Sequence, residues 1–110
     1  MIDWMRVTTL RDEIGAEGFD EVVELFMEEV EETIARLRTT PDLSRLEGDL
    51  HFLKGSALDL GFSAFSTLCQ NGETASAKGA ANTVDVAAII NCFDISKQSF
   101  VDKLQTALAN

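Results

Sequence analysis

Apolar residues recur along this chain at three- and four-residue steps, the period of helices that each bury one stripe. Glycine- and proline-containing breaks divide the pattern into five segments. The first spans about Asp3 to Ile14. Asp3 is its cap, Trp4, Val7, Leu10 and Ile14 form its stripe, and Gly15 and Gly18 mark its end. Its shortness predicts a helix laid across the end of a bundle. The second runs from about Phe19 to Arg38, with Phe19, Val23, Phe26, Val30, Ile34 and Leu37 in line. Acids fill its first two thirds and Arg36 and Arg38 come last, an order that suits the helix dipole.

Thr39-Thr40-Pro41-Asp42 separates the second segment from the third, with Thr40 placed as a cap and Pro41 at the first helical position. The third segment aligns Leu43, Leu46, Leu50, Leu53, Ala57 and Leu60 and closes at Gly61. Ser63 is placed to cap the fourth, which runs to about Lys78 and stops at Gly79. Its inner stripe is Phe65, Leu68, Cys69, Gly72, Ala75 and Ser76, small enough to let a neighbouring helix come close. The fifth starts near Asn82 or Thr83 and runs to about Leu108. Val86, Ile89, Ile90, Phe93, Phe100, Leu104 and Leu108 face inward, with Ser96 and Lys97 as imperfect positions. Four long amphipathic helices joined by short breaks predict an all-α fold: an antiparallel up-down four-helix bundle with an additional short N-terminal helix.

Composition narrows the functional classes. A chain of 110 residues, 45% of them hydrophobic, has material for one core, so residues 1–110 are read as a single domain. A net charge of −10 repels nucleic acid and anionic lipid, and neither is expected as a partner. The acids crowd between Asp20 and Glu32 with no base among them, which reads as a solvated helix face or as a docking stripe. Cys69 and Cys92 lack a CxxC context and are expected as buried thiols. With one histidine and no cysteine cluster, no metal site is expected. The apolar runs are too short and too often interrupted by charge to span a membrane. The opening Met1-Ile-Asp-Trp-Met-Arg lacks the layout of a signal peptide, so a cytoplasmic location is expected.

The single histidine, His51, lies on the third segment. At 100° per residue it points roughly 130° away from the mean direction of the leucine stripe, so it is expected to be exposed. Gly48 and Gly55 point almost straight outward on either side of it. Each glycine inside a helix costs about 1 kcal/mol relative to alanine, which folding alone does not explain. A bare patch does, because it lets another protein approach the imidazole. Leu58, one heptad on, faces out nearby and suits an apolar docking surface. Lys54 is one turn on and on the same side, either as a solvated charge or as a cation serving the ring. His51 precedes the Gly61 turn by ten residues, about 15 Å of helix. The same height on the returning helix holds Asn71, Gly72, Glu73 and Thr74, with Gln70 just below. Glu73 either faces solvent or accepts a hydrogen bond from Nδ1–H of His51, which would leave Nε2 nucleophilic.

The string His51-x-x-Lys54-Gly55-Ser56-Ala57-x-x-x-Gly61, followed by Leu68-Cys69 and Glu73, resembles the histidine-containing phosphotransfer (HPt) domain. The motif covers about Asp49 to Glu73, and the helix pattern fits the whole chain. The resemblance implies that His51 accepts and donates a phosphoryl group. Lys54 and Gly55 match the family's supporting lysine and clearance glycine, and Gly61 matches its helix-closing glycine. Glu73 matches a frequent acidic position, and Gln70 falls where some members place another polar neighbour of the ring. Two departures stand out. Gly72 replaces what is often a leucine and is expected to loosen the fourth helix. Phe52 is not a fixed feature and belongs either to the core against the first helix or to the docking patch.

By that resemblance the protein is a phosphocarrier without its own ATP site. Its expected partners are response-regulator receiver domains and a sensor histidine kinase, and it is expected to act as a monomer. No cofactor is expected here, and Mg²⁺ would sit in the partner receiver domain. The start at Met1 suggests a carrier that stands alone rather than one cut from a larger kinase. The alternative is a helical adaptor that is not phosphorylated and binds partners through its acidic surface.

Overall fold

The computed structural model describes residues 2–108, with side chains through residue 104. It contains five α-helices: α1 (Trp4–Ile14), α2 (Ala16–Thr39), α3 (Leu46–Leu60), α4 (Ser63–Ala77) and α5 (Val86–Leu108). Single 3₁₀ turns, Leu43–Arg45 and Ala81–Thr83, precede α3 and α5. The four long helices form the bundle. The short α1 packs against α2 and α3 at the end where α3 turns into α4.

The predicted stripes supply the core. Val7, Phe19, Val30, Ile34, Leu37, Leu46, Leu50, Leu53, Leu60, Phe65, Cys69, Ile89, Phe93 and Phe100 are all buried together. Phe62, outside the predicted stripes, is buried too. It joins an aromatic string, its ring 5.2 Å from Phe100 and 6.5 Å from Phe93. Trp4 stacks on Phe100 at 5.7 Å, which fastens α1 to the bundle. Leu108 lies outside the described side chains. Cys69 is buried as expected, whereas Cys92 is half-buried, and both are free thiols.

The α3–α4 turn is built on Gly61, whose φ of 80° is left-handed. Phe62 N–H reaches back to Ala57 O at 2.8 Å and Gly61 N–H to Leu58 O at 3.4 Å, the two bonds of a Schellman ending. A side chain here would also collide: a Cβ on Gly61 would lie 2.7 Å from Asp3 O. Asp3 N–H in turn donates to Gly61 O at 2.7 Å, so the start of the chain is tied to the turn.

Four helix starts differ from the sequence expectation. Helix α2 begins at Ala16, because Gly15 alone makes the break with φ 80° and Gly18 is accommodated inside the helix. Thr40 ends α2 rather than capping α3, and Pro41 is not helical. Asp42 takes the capping role, its carboxylate accepting from Ser44 N–H at 3.0 Å and Ser44 Oγ at 2.6 Å. Helix α3 therefore starts at Leu46, and Leu43 is exposed instead of joining the stripe. Ser63 is the first residue of α4 rather than its cap, because the Schellman turn places buried Phe62 at the cap position. Helix α5 begins at Val86, after Asp85 accepts from Ala88 N–H at 3.0 Å.

Gly72 does the opposite of loosening α4. It is buried, and a Cβ there would stand 2.6 Å from Leu50 Cδ1 and 3.3 Å from Val84 Cγ1. The absent side chain is what lets α4 lie this close to α3. Ion pairs then tie α2 to its neighbours: Arg36 to Asp49 on α3 at 3.4 Å, and Arg38 to Asp94 and Glu31 to Lys97 on α5.

Candidate functional site

His51 stands on the outer face of α3 with its side chain 71% exposed. The stripe behind it explains this orientation: Leu50, Leu53, Ala57 and Leu60 are buried, so the helix cannot rotate without drawing leucines into water. Gly48 and Gly55 are exposed, and a Cβ on either would meet nothing within 4 Å. The backbone on both sides of the imidazole is bare. Leu58, at 58% exposure, adds an apolar contact surface. Ser56 and Ala57 are buried beneath this face, and Gly61 closes the helix.

Phe52 is not part of the core. It borders a surface groove with Glu29, Glu32, Thr33 and Arg36 of α2 and Asp49 of α3, and remains partly exposed.

The hairpin puts Glu73 of α4 level with His51. His51 Nδ1 is 2.9 Å from Glu73 Oε2, and the second carboxylate oxygen, Oε1, is 2.7 Å from Lys54 Nζ. Hydrogen bonding from Lys54, reinforced by the bond from His51, holds the Glu73 carboxyl below the usual carboxylate range against the opposing effect of burial. An ionised carboxylate only accepts hydrogen bonds, so Nδ1 is the nitrogen that carries a proton in this contact, and in the neutral ring the lone pair is on Nε2.

Gln70 does not touch the imidazole. Its Oε1 accepts from Lys54 Nζ at 3.1 Å, and its Nε2 donates to Thr74 Oγ1 at 3.0 Å. The structure thus brings His51, Lys54, Gln70 and Glu73 into one polar cluster, with the docking-patch residues around its rim. One residue, Thr74, and one contact, the Lys54–Glu73 pair, go beyond the sequence reading. Thr74 was visible in the register window, but nothing distinguished its hydroxyl from other surface threonines. The Lys54–Glu73 pair was legible in principle, since both residues flank the same ring from facing helices.

The buried Cys69 thiol is not a rival nucleophile. Burial, then the neighbouring Cys92 and Glu73, pushes the Cys69 thiol up to about 12, which keeps it protonated at neutral pH. Among the described residues no group of His, Cys, Asp and Glu is arranged to hold a metal ion. No described helix is long and apolar enough to cross a membrane. The cluster can present one uncharged imidazole nitrogen to an electrophile, with a carboxylate behind the ring and an ammonium beside it.

No curated protein and no solved structure matches the chain. A family model, that of the Hpt domain, matches residues 21–109, which takes in most of α2 and all of the site but not α1.

Proposed function

This chain belongs to the Hpt domain family, phosphocarriers that work with receiver domains and kinases in two-component phosphorelays, and on that premise we propose that His51 is its phosphoacceptor. The observation that carries the proposal is the His51–Glu73 contact of 2.9 Å on a ring that is otherwise open to solvent. In the proposed step a receiver domain bearing an aspartyl phosphate docks over Gly48, Gly55 and Leu58, with Phe52 at the edge. The Nε2 lone pair attacks phosphorus, an Nε2–P bond forms, and the P–O bond to the receiver's aspartate breaks. The aspartate leaves as a carboxylate. Nδ1 keeps its proton throughout, so the ring becomes cationic, and the Glu73 carboxylate behind it offsets that charge.

Lys54 has the complementary task. An ammonium has three donors; Gln70 Oε1 accepts from one, and the Glu73 carboxylate pairs with the charge at 2.7 Å. A donor is left for an oxygen of the incoming phosphoryl group. The reverse reaction hands the group to a second receiver. This chain has no need of its own ATP or Mg²⁺ in such a scheme, because the donor arrives already activated and the metal belongs to the receiver. The reading places the protein in the cytoplasm as a monomeric carrier.

Incubation with a phosphorylated receiver domain tests the assignment. An acid-labile label should appear on this chain, and His51→Gln should remove it entirely. Labelling that persists in His51→Gln would overturn the proposal. Receiver binding with no label at all would favour an adaptor acting through the acidic face of α2.

A further inference from the structure

We infer that Thr74 is a positioning residue for phosphoryl transfer, acting through Gln70 on Lys54; the inference rests on the reading of His51 as phosphoacceptor. Lys54 can only donate hydrogen bonds, so it requires the oxygen of the Gln70 amide to face it. That requirement turns the amide nitrogen of Gln70 the other way, to Thr74 Oγ1 at 3.0 Å. Gln70 and Thr74 are one helical turn apart on α4, the spacing at which side chains meet. The hydroxyl therefore holds the rotamer of Gln70, whose amide sense Lys54 has set. Gln70 Oε1 then stands 3.1 Å from Nζ and keeps the ammonium beside Glu73 and the ring.

The string matters because Lys54 is the most adjustable member of the site. Its flexible four-carbon stem lets the charge wander, and the side chain is only 20% exposed, held down at its tip. Glu73 alone would hold Nζ by one oxygen. With Gln70 accepting a hydrogen bond beside that ion pair, the ammonium is held at two points. Without the Thr74 hydroxyl the exposed amide of Gln70 exchanges partners with water. Lys54 then loses one of its two anchors for part of the time.

The test compares wild type with Thr74→Val, which keeps the shape and removes the hydroxyl, and with Thr74→Ser, which restores it. Two readouts are needed. One is proton exchange of the Lys54 ammonium with water, followed by nitrogen-15 NMR. The other is the rate at which potassium phosphoramidate labels His51. In that reaction the P–N bond of the donor breaks, ammonia leaves, and Nε2–P forms while Nδ1 keeps its proton. Because Gln70 is exposed and water competes for it, the expected effect of Thr74→Val is small, about twofold to threefold, the range set by one weak neutral hydrogen bond. Exchange at Lys54 should speed up and labelling should slow down by such factors, with Thr74→Ser matching wild type. The inference is overturned if Thr74→Val equals wild type in either readout, or if Thr74→Ser behaves like Thr74→Val. Failure of the wild type to label at His51 would instead overturn the carrier reading, whatever the ammonium does.

Discussion

Gly55 and Gly72 occupy the two arms of one hairpin, each inside a helix, and they are there for opposite reasons. Around Gly72 a Cβ would be driven to 2.6 Å from Leu50 Cδ1, whereas around Gly55 it would find nothing within 4 Å. One glycine is required by what this chain packs against itself. The other is left unfilled, although alanine would fit and would make a better helix. The inner glycine serves folding, and the outer one, on the proposed reading, serves an encounter. The sign of a stability change on substitution separates the two roles.

The largest expected effect lies on the inner side. Leu50→Ala should destabilise the bundle by about 2–5 kcal/mol in a denaturant melt, as buried leucines do on truncation. Gly72→Ala should cost about 1–3 kcal/mol by overpacking the same contact. Made together, the two should cost less than their sum by at least about 0.5 kcal/mol, because each relieves the other. Strict additivity would dissolve the inner half of the contrast.

Gly55→Ala should move stability the other way, raising it by up to about 1 kcal/mol. The same variant should take label from a receiver domain more slowly, yet take it from phosphoramidate at the wild-type rate. A small donor does not need the clearance that a protein donor needs. Equal slowing with both donors would mean that Gly55 acts on the ring rather than on docking.

The smallest effect is one of pH. Glu73 has a carboxyl held below its ordinary value, so its ionised form contributes stability above the unfolded carboxylate pKa of about 4.3 and loses that contribution as pH falls through the lower folded value. The stability difference between wild type and Glu73→Gln should therefore be constant near neutrality and fade only in the acid range, below that unfolded value. A difference that faded between pH 6 and 8 would point to another group.

Much of this could be read before any coordinates. Most of each inner stripe, the exposure of His51 and the height of Glu73 follow from counting residues at 3.6 per turn, whereas Ile14 and Leu43, at the stripe ends, are exposed. Helix starts were harder, because a capping residue is chosen by competition. Thr40 and Asp42 are both good caps, and the two hydrogen bonds that Ser44 donates to the Asp42 carboxylate decide for Asp42. Phe62 escaped because it belongs to no helical stripe and is buried by a turn. Gly72 was misjudged because a sequence shows that a side chain is missing but not which neighbour fills the space. The link from Gln70 to Lys54 rather than to the ring was invisible for a similar reason, since it depends on angstrom-scale reach between helices.

The way Lys54 and Glu73 are paired has a consequence for how partners tell a loaded carrier from an empty one. Empty, the ammonium and the carboxylate cancel, leaving an electrically quiet spot on a chain whose net charge is −10. In the proposed loaded state a phosphoryl group brings roughly −1.5 to −2 and the ring beneath it gains one positive charge as Nδ1 keeps its proton, so the spot changes by about half to one unit of negative charge. On the proposed reading the two states then differ in field at the point of contact, and a downstream receiver distinguishes cargo from vacancy by electrostatics.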